Sequence, residues 1–388
     1  MSRRPGPLHI VAALLAAAAY AAMHSVIVWP MFLDRGYDYA VHVDMGEALY
    51  HLRVSEPHFL YHLLIAILYA IHLAPSFLAA ARWILVAASA AAALLVYGGI
   101  WWAVRDDRRW GSSPVVFFAT LAVMLAQPIG RFDWYEIGYL WNEPFMIPTY
   151  TLLAPFALAG FFLTVAYLFS KREAGWSMSI LFFAVTAGGA LAKPSFLICL
   201  LPAAMLLAAW RLWRGLPVAR RTLLAGLVLP ALLVLGGQFL LTYGAIRGVV
   251  GYQDSLVWAP LRVMSHWASG LGIKFLLSTL FPLAVLLVNG RAALRDGQMQ
   301  LAWLTFGAGS AYAYLLSERV RATDGNFLWS AYITLFILFV ASVIFMLRQA
   351  TIVSWRRTAL CLCALAPHVI SGVLLDRKYL GWAMDRMR

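Results

Sequence analysis

Long apolar runs separated by short polar loops set the rhythm of this chain. Runs of about 20 residues, the length a helix needs to cross the hydrocarbon of a bilayer, fall near 8–30, 78–103, 150–170, 222–246, 270–289, 329–347 and 358–376. Shorter ones fall near 113–127, 178–192, 196–212 and 299–316, so the pattern predicts about eleven transmembrane helices. One further apolar run, His58–Leu73, has a different character. On a helical projection His58, Tyr61, His62, Tyr69 and His72 share an arc of about 100°, while Leu60, Leu63, Leu64, Ile67 and Ile71 fill the other side. That division predicts a helix lying in the membrane interface. The other reading is a short crossing helix with its polar face turned into the bundle.

The basic residues bear on that choice. Clusters occur at Arg3/Arg4, Arg105/Arg108/Arg109, Lys171/Arg172, Arg211/Arg214/Arg220/Arg221, Arg291/Arg295 and Arg348/Arg356/Arg357. Lys and Arg gather on the cytoplasmic side of membrane proteins, and all of these clusters share one side only if His58–Leu73 does not cross. The N-terminus is then cytoplasmic, and the outward loops are 31–77, 128–149, 193–195, 247–269, 317–328 and the tail after 376. The basic tail departs from the rule; late charges determine topology more weakly than early ones.

Composition agrees with a polytopic membrane protein: 63% of the 388 residues are hydrophobic, 12% are charged, and the mean hydropathy is +0.78. No polar stretch of roughly 80 residues leaves room for a soluble domain, so residues 1–388 form a single transmembrane domain. The fold class is all-α, because only helices satisfy their backbone in lipid here and the alternating pattern of an outer-membrane barrel is absent. The net charge of +13 reads as membrane orientation, with no nucleic-acid partner. The N-terminal run has the basic start of a secretory signal, and an uncleaved anchor helix is the expected reading. Cys199, Cys361 and Cys363 all lie in apolar segments and behave as small hydrophobes. No P-loop, Rossmann, HExxH, CxxC or GxSxG motif and no internal repeat occurs.

Chemistry therefore has to sit in loops and helix ends. A helix is expected over 38–52, with Val41, Met45, Leu49 and Leu52 as its inner face and Asp38 and His42 at the edge of that face. An acid turned toward protein is costly unless something pairs with it or uses it. The plainer readings of Asp38 are a helix cap or a salt bridge. Asp44, Glu47 and His51 form the opposite face, a solvated surface or a metal cluster, so a divalent metal stays open and no cofactor is certain. The loop 128–149 brings Arg131, Asp133, Glu136, Asn142 and Glu143 among interfacial aromatics, with Glu143 directly before a proline at the mouth of a span. Outward cations at Lys193, Arg247, Arg262, Arg319 and Arg321 oppose the orientation rule. Phosphate binding is one reason for them to be there, lipid headgroups another. Acids to take a hydroxyl proton, cations to hold a phosphate and an apolar surround for a lipid tail together describe transfer from a lipid-phosphate donor.

Over residues 1–215 the order of these features resembles the GT-C superfamily of membrane glycosyltransferases, which use polyprenyl-phosphate or polyprenyl-diphosphate sugars. GYDYAVHVDMGEAL is similar to the family's first outward loop, which would make Asp38 the catalytic aspartate. EPHFLYHLLIAILYAIHLAP, the Arg-bearing run after it and the basic turn VRDDRR resemble its juxtamembrane helix, second span and cytoplasmic turn. GYLWNEPFMIPTYTLL resembles its second acidic loop, with Glu143 on the acid, and GGALAKPSFLICLLP the Lys-bearing turn of aminoarabinose and mannose transferases, with Lys193 there. The chain departs from the pattern in lacking an acid adjacent to Asp38, in having Glu143–Pro144 where an Asp is usual, and in lacking a C-terminal soluble domain.

The resemblance implies a glycosyltransferase on the outer, periplasmic side. Asp38 would be the general base and Glu143 a second acid, and His42, Arg131, Lys193, Arg247, Arg262, Arg319 and Arg321 would bind substrate or phosphate. The partners would be a polyprenyl-linked sugar, a lipid or glycan acceptor, and membrane lipids. The alternatives are a transporter or flippase, or a polymerase or ligase of lipid-linked glycans. Against transport, the spans are nearly free of charge: Arg82 and Lys274 lie near ends, and Gln238 and His368 are the polar interior residues.

Overall fold

The computed structural model describes residues 5–35, 37–53, 57–107, 110–129, 147–243, 255–350 and 354–387. The described chain is nearly all helix. Seven helices are long and apolar enough to cross a membrane: α1 (Pro7–Val28), α4 (Phe77–Val104), α6 (Pro148–Leu168), the continuous α9–α10 (Arg220–Leu223 and Leu229–Thr242, joined by a π turn), α12 (Leu271–Asn289), α15 (Leu328–Ala350) and α16 (Trp355–Met387). A helix also stands at each of the other expected spans. These are α5 (Ser113–Leu125), α7 (Trp176–Ala192), α8 (Leu197–Trp213) and α14 (Gly297–Leu315). The first three are short, and α14 is long enough but less apolar. Short helices α2 (Asp38–Tyr50), α3 (Leu60–Ala70), α11 (Arg262–Trp267) and α13 (Arg291–Arg295) complete the set.

The bundle is built around α15. Its sequence is apolar on every side, which suits lipid or protein as a neighbour, and here it is protein: from Leu328 to Leu347 the helix is buried throughout. Against it pack α14, α4, α12, α6, α16 and α8.

The antiparallel pairing of α1 with α4 fixes what lies between them. His9 Nδ1 is 2.9 Å from the Tyr97 hydroxyl near one end of the pair, and the Arg82 guanidinium stacks on Trp29 near the other. The chain therefore leaves α1 and enters α4 at the same end of the bundle, and α2 and α3 stay at that end. With 11 residues, α3 is about 16 Å long, against about 30 Å of hydrocarbon. It does not cross. The middle of its polar arc faces protein, however, while His72 is exposed. Tyr61 and His62 are buried, with Tyr61 donating to the Ala81 carbonyl, whereas Ile67 and Ile71 are exposed.

In α2 the expected inner face is corrected. Val41 and Leu52 point outward, and the buried residues are Tyr39, His42 and Gly46. The reason is steric. A Cβ on Gly46 would stand 2.7 Å from Ile65 Cγ2, so the glycine face is the one along which α2 and α3 can close. Asp44, Glu47 and His51 are exposed, as a solvated face would be.

At the opposite end the basic loops meet one another. Glu173 accepts from the Arg221 and Thr222 amides, Arg348 pairs with Asp296 at 2.7 Å, and Phe169 lies against Gly297. The segment after 376, expected as a free tail, continues α16 for about three further turns. It returns to the end that carries α2, where Arg386 pairs with Asp34 at 3.0 Å and Trp382 packs on Tyr37.

Candidate functional site

At the α2 end, between α7, α8, α10, α14 and α15, opens a cavity of about 520 Å³. Its polar wall carries His58, Lys193, Glu318, Arg321 and Asn326, and its apolar wall includes Leu235, Phe239, Ile198 and Leu256. One side of the chamber therefore suits a charged, hydrogen-bonding ligand and the other a hydrocarbon.

Each polar group is placed by a local feature. Lys193 caps α7 in extended conformation, and the proline that follows ends the helix and turns the chain directly into α8. The lysine is only 8% exposed, and its Nζ lies 5.4 Å from the Trp329 ring centroid. Gln238, inside α10, donates from Nε2 to the carbonyls of Ala190 and Pro57, tying α10 to the end of α7 and to the entry of α3. Its Oε1 is buried and accepts nothing, leaving an acceptor in the cavity wall. Leu256–Trp258 (β1) pairs antiparallel with Leu316–Glu318 (β2), which draws two loops together over the chamber.

Glu318 sits at the end of that pairing, 5% exposed. It accepts from the Tyr243 hydroxyl at 2.7 Å and from the Asn326 amide, and Arg321 lies 3.7 Å away. Arg321 also pairs with Asp324 at 3.2 Å.

Asp38 opens α2. It keeps an exposed surface, yet its carboxyl is held above the ordinary aspartate range, first by the protein crowded around it. Lys193 and Arg321 pull it back down and Asp324 adds to the rise. The carboxylate thus feels the field of both cavity cations. Three histidines stand behind it. His42 Nδ1 is 2.7 Å from His62 Nε2, with the rings stacked. Burial lowers His62 to about 4 and His58 to about 3, the latter helped by Lys193, His62 and Arg321. Burial, then His62, His58 and Lys193, hold His42 well below its usual value. All three are neutral imidazoles at pH 7. They can exchange hydrogen bonds; His42, expected to bind substrate or phosphate, is buried where α2 meets α3, against His62.

The expected site residues therefore divide. Lys193 and Arg321 share the cavity wall and their charges act on Asp38; His42 is buried beside His62. Arg262 and Arg319 are exposed and do not line this cavity. Arg131, Glu143 and Arg247 lie outside the described residues. Among the described residues, no group of three or more His, Cys, Asp or Glu side chains could hold a metal ion. Glu318 was not anticipated, although an acid directly after a span and just ahead of two outward arginines, in SERVR, was a visible signal. Compared with protein-family models, with curated proteins and with solved structures, the chain matches none.

Proposed function

We propose that this protein is a GT-C-type glycosyltransferase that moves a sugar from a polyprenyl-phosphate donor to a hydroxyl acceptor at the outer face of the plasma membrane. One observation carries the reading: Lys193 and Arg321 line a half-polar, half-apolar cavity at one end of a helix bundle, and the charges of both act on the Asp38 carboxyl.

In this reaction the acceptor oxygen attacks the anomeric carbon and its proton passes to the Asp38 carboxylate. The bond from the anomeric carbon to the phosphate oxygen breaks, and polyprenyl phosphate leaves with the electron pair. A carboxylate raised above the usual range is a stronger base, and the nearby cations keep it ionised. Lys193 and Arg321 oppose the charge that grows on the departing phosphate. The apolar wall offers room for the first part of the prenyl chain. In this proposal the chain crosses the membrane eleven times, the four less apolar or shorter helices included. The basic loops then face the cytoplasm and the cavity the outside, in keeping with the positive-inside tendency.

The test is to incubate the purified protein with a set of synthetic polyprenyl-phosphate sugars and measure donor-dependent release of polyprenyl phosphate. Release by the wild type and its loss in Asp38→Asn is the expected result. Movement of substrate across proteoliposomes with no bond cleavage would instead make the protein a transporter.

A further inference from the structure

We propose that Arg82 and Trp29 hold the phosphate of an anionic membrane phospholipid in the groove between α1 and α4, a site separate from the cavity and independent of the function proposed for it. The Arg82 guanidinium lies 3.0 Å over the Trp29 ring centroid and 5.4 Å from that of Phe32. The stack orients the cation and covers its face but leaves the in-plane donors to be satisfied. Nε and Nη2 are buried and take no hydrogen bond, and among the described residues no ion pair involves Arg82. An unpaired guanidinium edge in surroundings this apolar calls for an anion.

The surroundings say which anion. The recess beneath these donors, lined in part by His24, Ser25, Trp29 and Arg82, has a volume of about 10 Å³. That is room for one water-sized group, such as a single phosphate oxygen seated between Nε and Nη2 in the forked geometry that guanidinium favours. Outside the recess, Val26, Trp29, Trp83 and Val86 are exposed apolar side chains, a surface for acyl chains. Depth agrees. With 28 residues, α4 is about 42 Å long, some 12 Å more than the hydrocarbon core, so a centred helix leaves about 6 Å at each end in the headgroup layer. Arg82 lies about 7 Å from the start of α4, at the boundary where phosphates are found.

The protein, purified in detergent, is titrated with phosphatidylglycerol and followed by native mass spectrometry and by thermal unfolding. The wild type should retain one lipid through activation that strips the others and should unfold at a higher temperature with lipid. Arg82→Leu should lose both effects, and millimolar inorganic phosphate should reproduce neither. Equal retention by wild type and Arg82→Leu would overturn the site. Stabilisation by inorganic phosphate equal to that by lipid would overturn the lipid assignment in favour of a free anion. Should Arg82→Leu fail to fold, Arg82→Lys keeps the charge without the fork and should hold the lipid roughly tenfold less tightly; unchanged retention there also counts against the proposal.

Discussion

Acidification should loosen the α2–α3 contact before it affects the rest of the bundle. His62 is 1% exposed and is lowered to about 4, whereas an unfolded histidine titrates near about 6.5. Between those values the unfolded chain binds a proton that the folded chain refuses. The stability due to the neutral imidazole is thus complete above the unfolded value and is lost as pH falls through the window. At about pH 5 the unfolded histidine has been drawn down by roughly 1.5 pH units at ~1.4 kcal/mol each, a loss of roughly 2 kcal/mol. His42 and His58 are shifted the same way and steepen the decline. The assay is the apparent unfolding temperature of detergent-purified protein between about pH 7.5 and 5, for the wild type and for His62→Gln. Glutamine keeps a hydrogen-bonding group opposite His42 but does not titrate, so its decline should be shallower. An unfolding temperature flat with pH in the wild type, or an equally steep fall in His62→Gln, would refute the reasoning.

The other predictions concern the same end of the molecule. The acid limb of kcat/KM against pH should lie above the usual aspartate value of about 3.9, and Arg321→Gln should move it further up, because Arg321 holds the Asp38 carboxyl down; an unmoved limb would dissociate the two. Lys193→Gln should reduce kcat by roughly 10²–10³ with folding retained, read by steady-state release of polyprenyl phosphate and by thermal unfolding; wild-type turnover would remove Lys193 from the site. Gly46→Val should destabilise by about 1–3 kcal/mol through the clash with Ile65, seen as a lowered unfolding temperature; no change would mean that α2 does not close on α3 along that face.

The positions of the helices were legible in the sequence because a membrane helix must be apolar over its whole length, and nothing else in such a chain is. The apolar runs located α1, α4, α6, the joined α9–α10, α12 and α15 within a few residues but only the first two thirds of α16, and the charge pattern already implied that His58–Leu73 stays at one end. Facing was less legible. In α2 the hydrophobic residues suggested one inner face and the glycine enforced another, since the close approach of α3 at Ile65 leaves no room for a side chain at position 46. The same ambiguity of facing hid the side on which α3 buries His62.

The candidate site shows the same division. Asp38, Lys193 and Arg321 stood out as charges in the wrong company, an expectation that needed only the cost of desolvating an ion. The cavity wall that Lys193 and Arg321 share, and the inclusion of Glu318, Gln238 and the neutral histidine group, came from contacts between residues far apart in the chain: His42 with His62, Gln238 with Ala190, Tyr243 with Glu318. Sequence alone determined that this chain lives in a membrane and which groups are too expensive to be there without a partner. Tertiary structure decided which partners they have, because burial and distance are properties of the packed bundle and of no local segment.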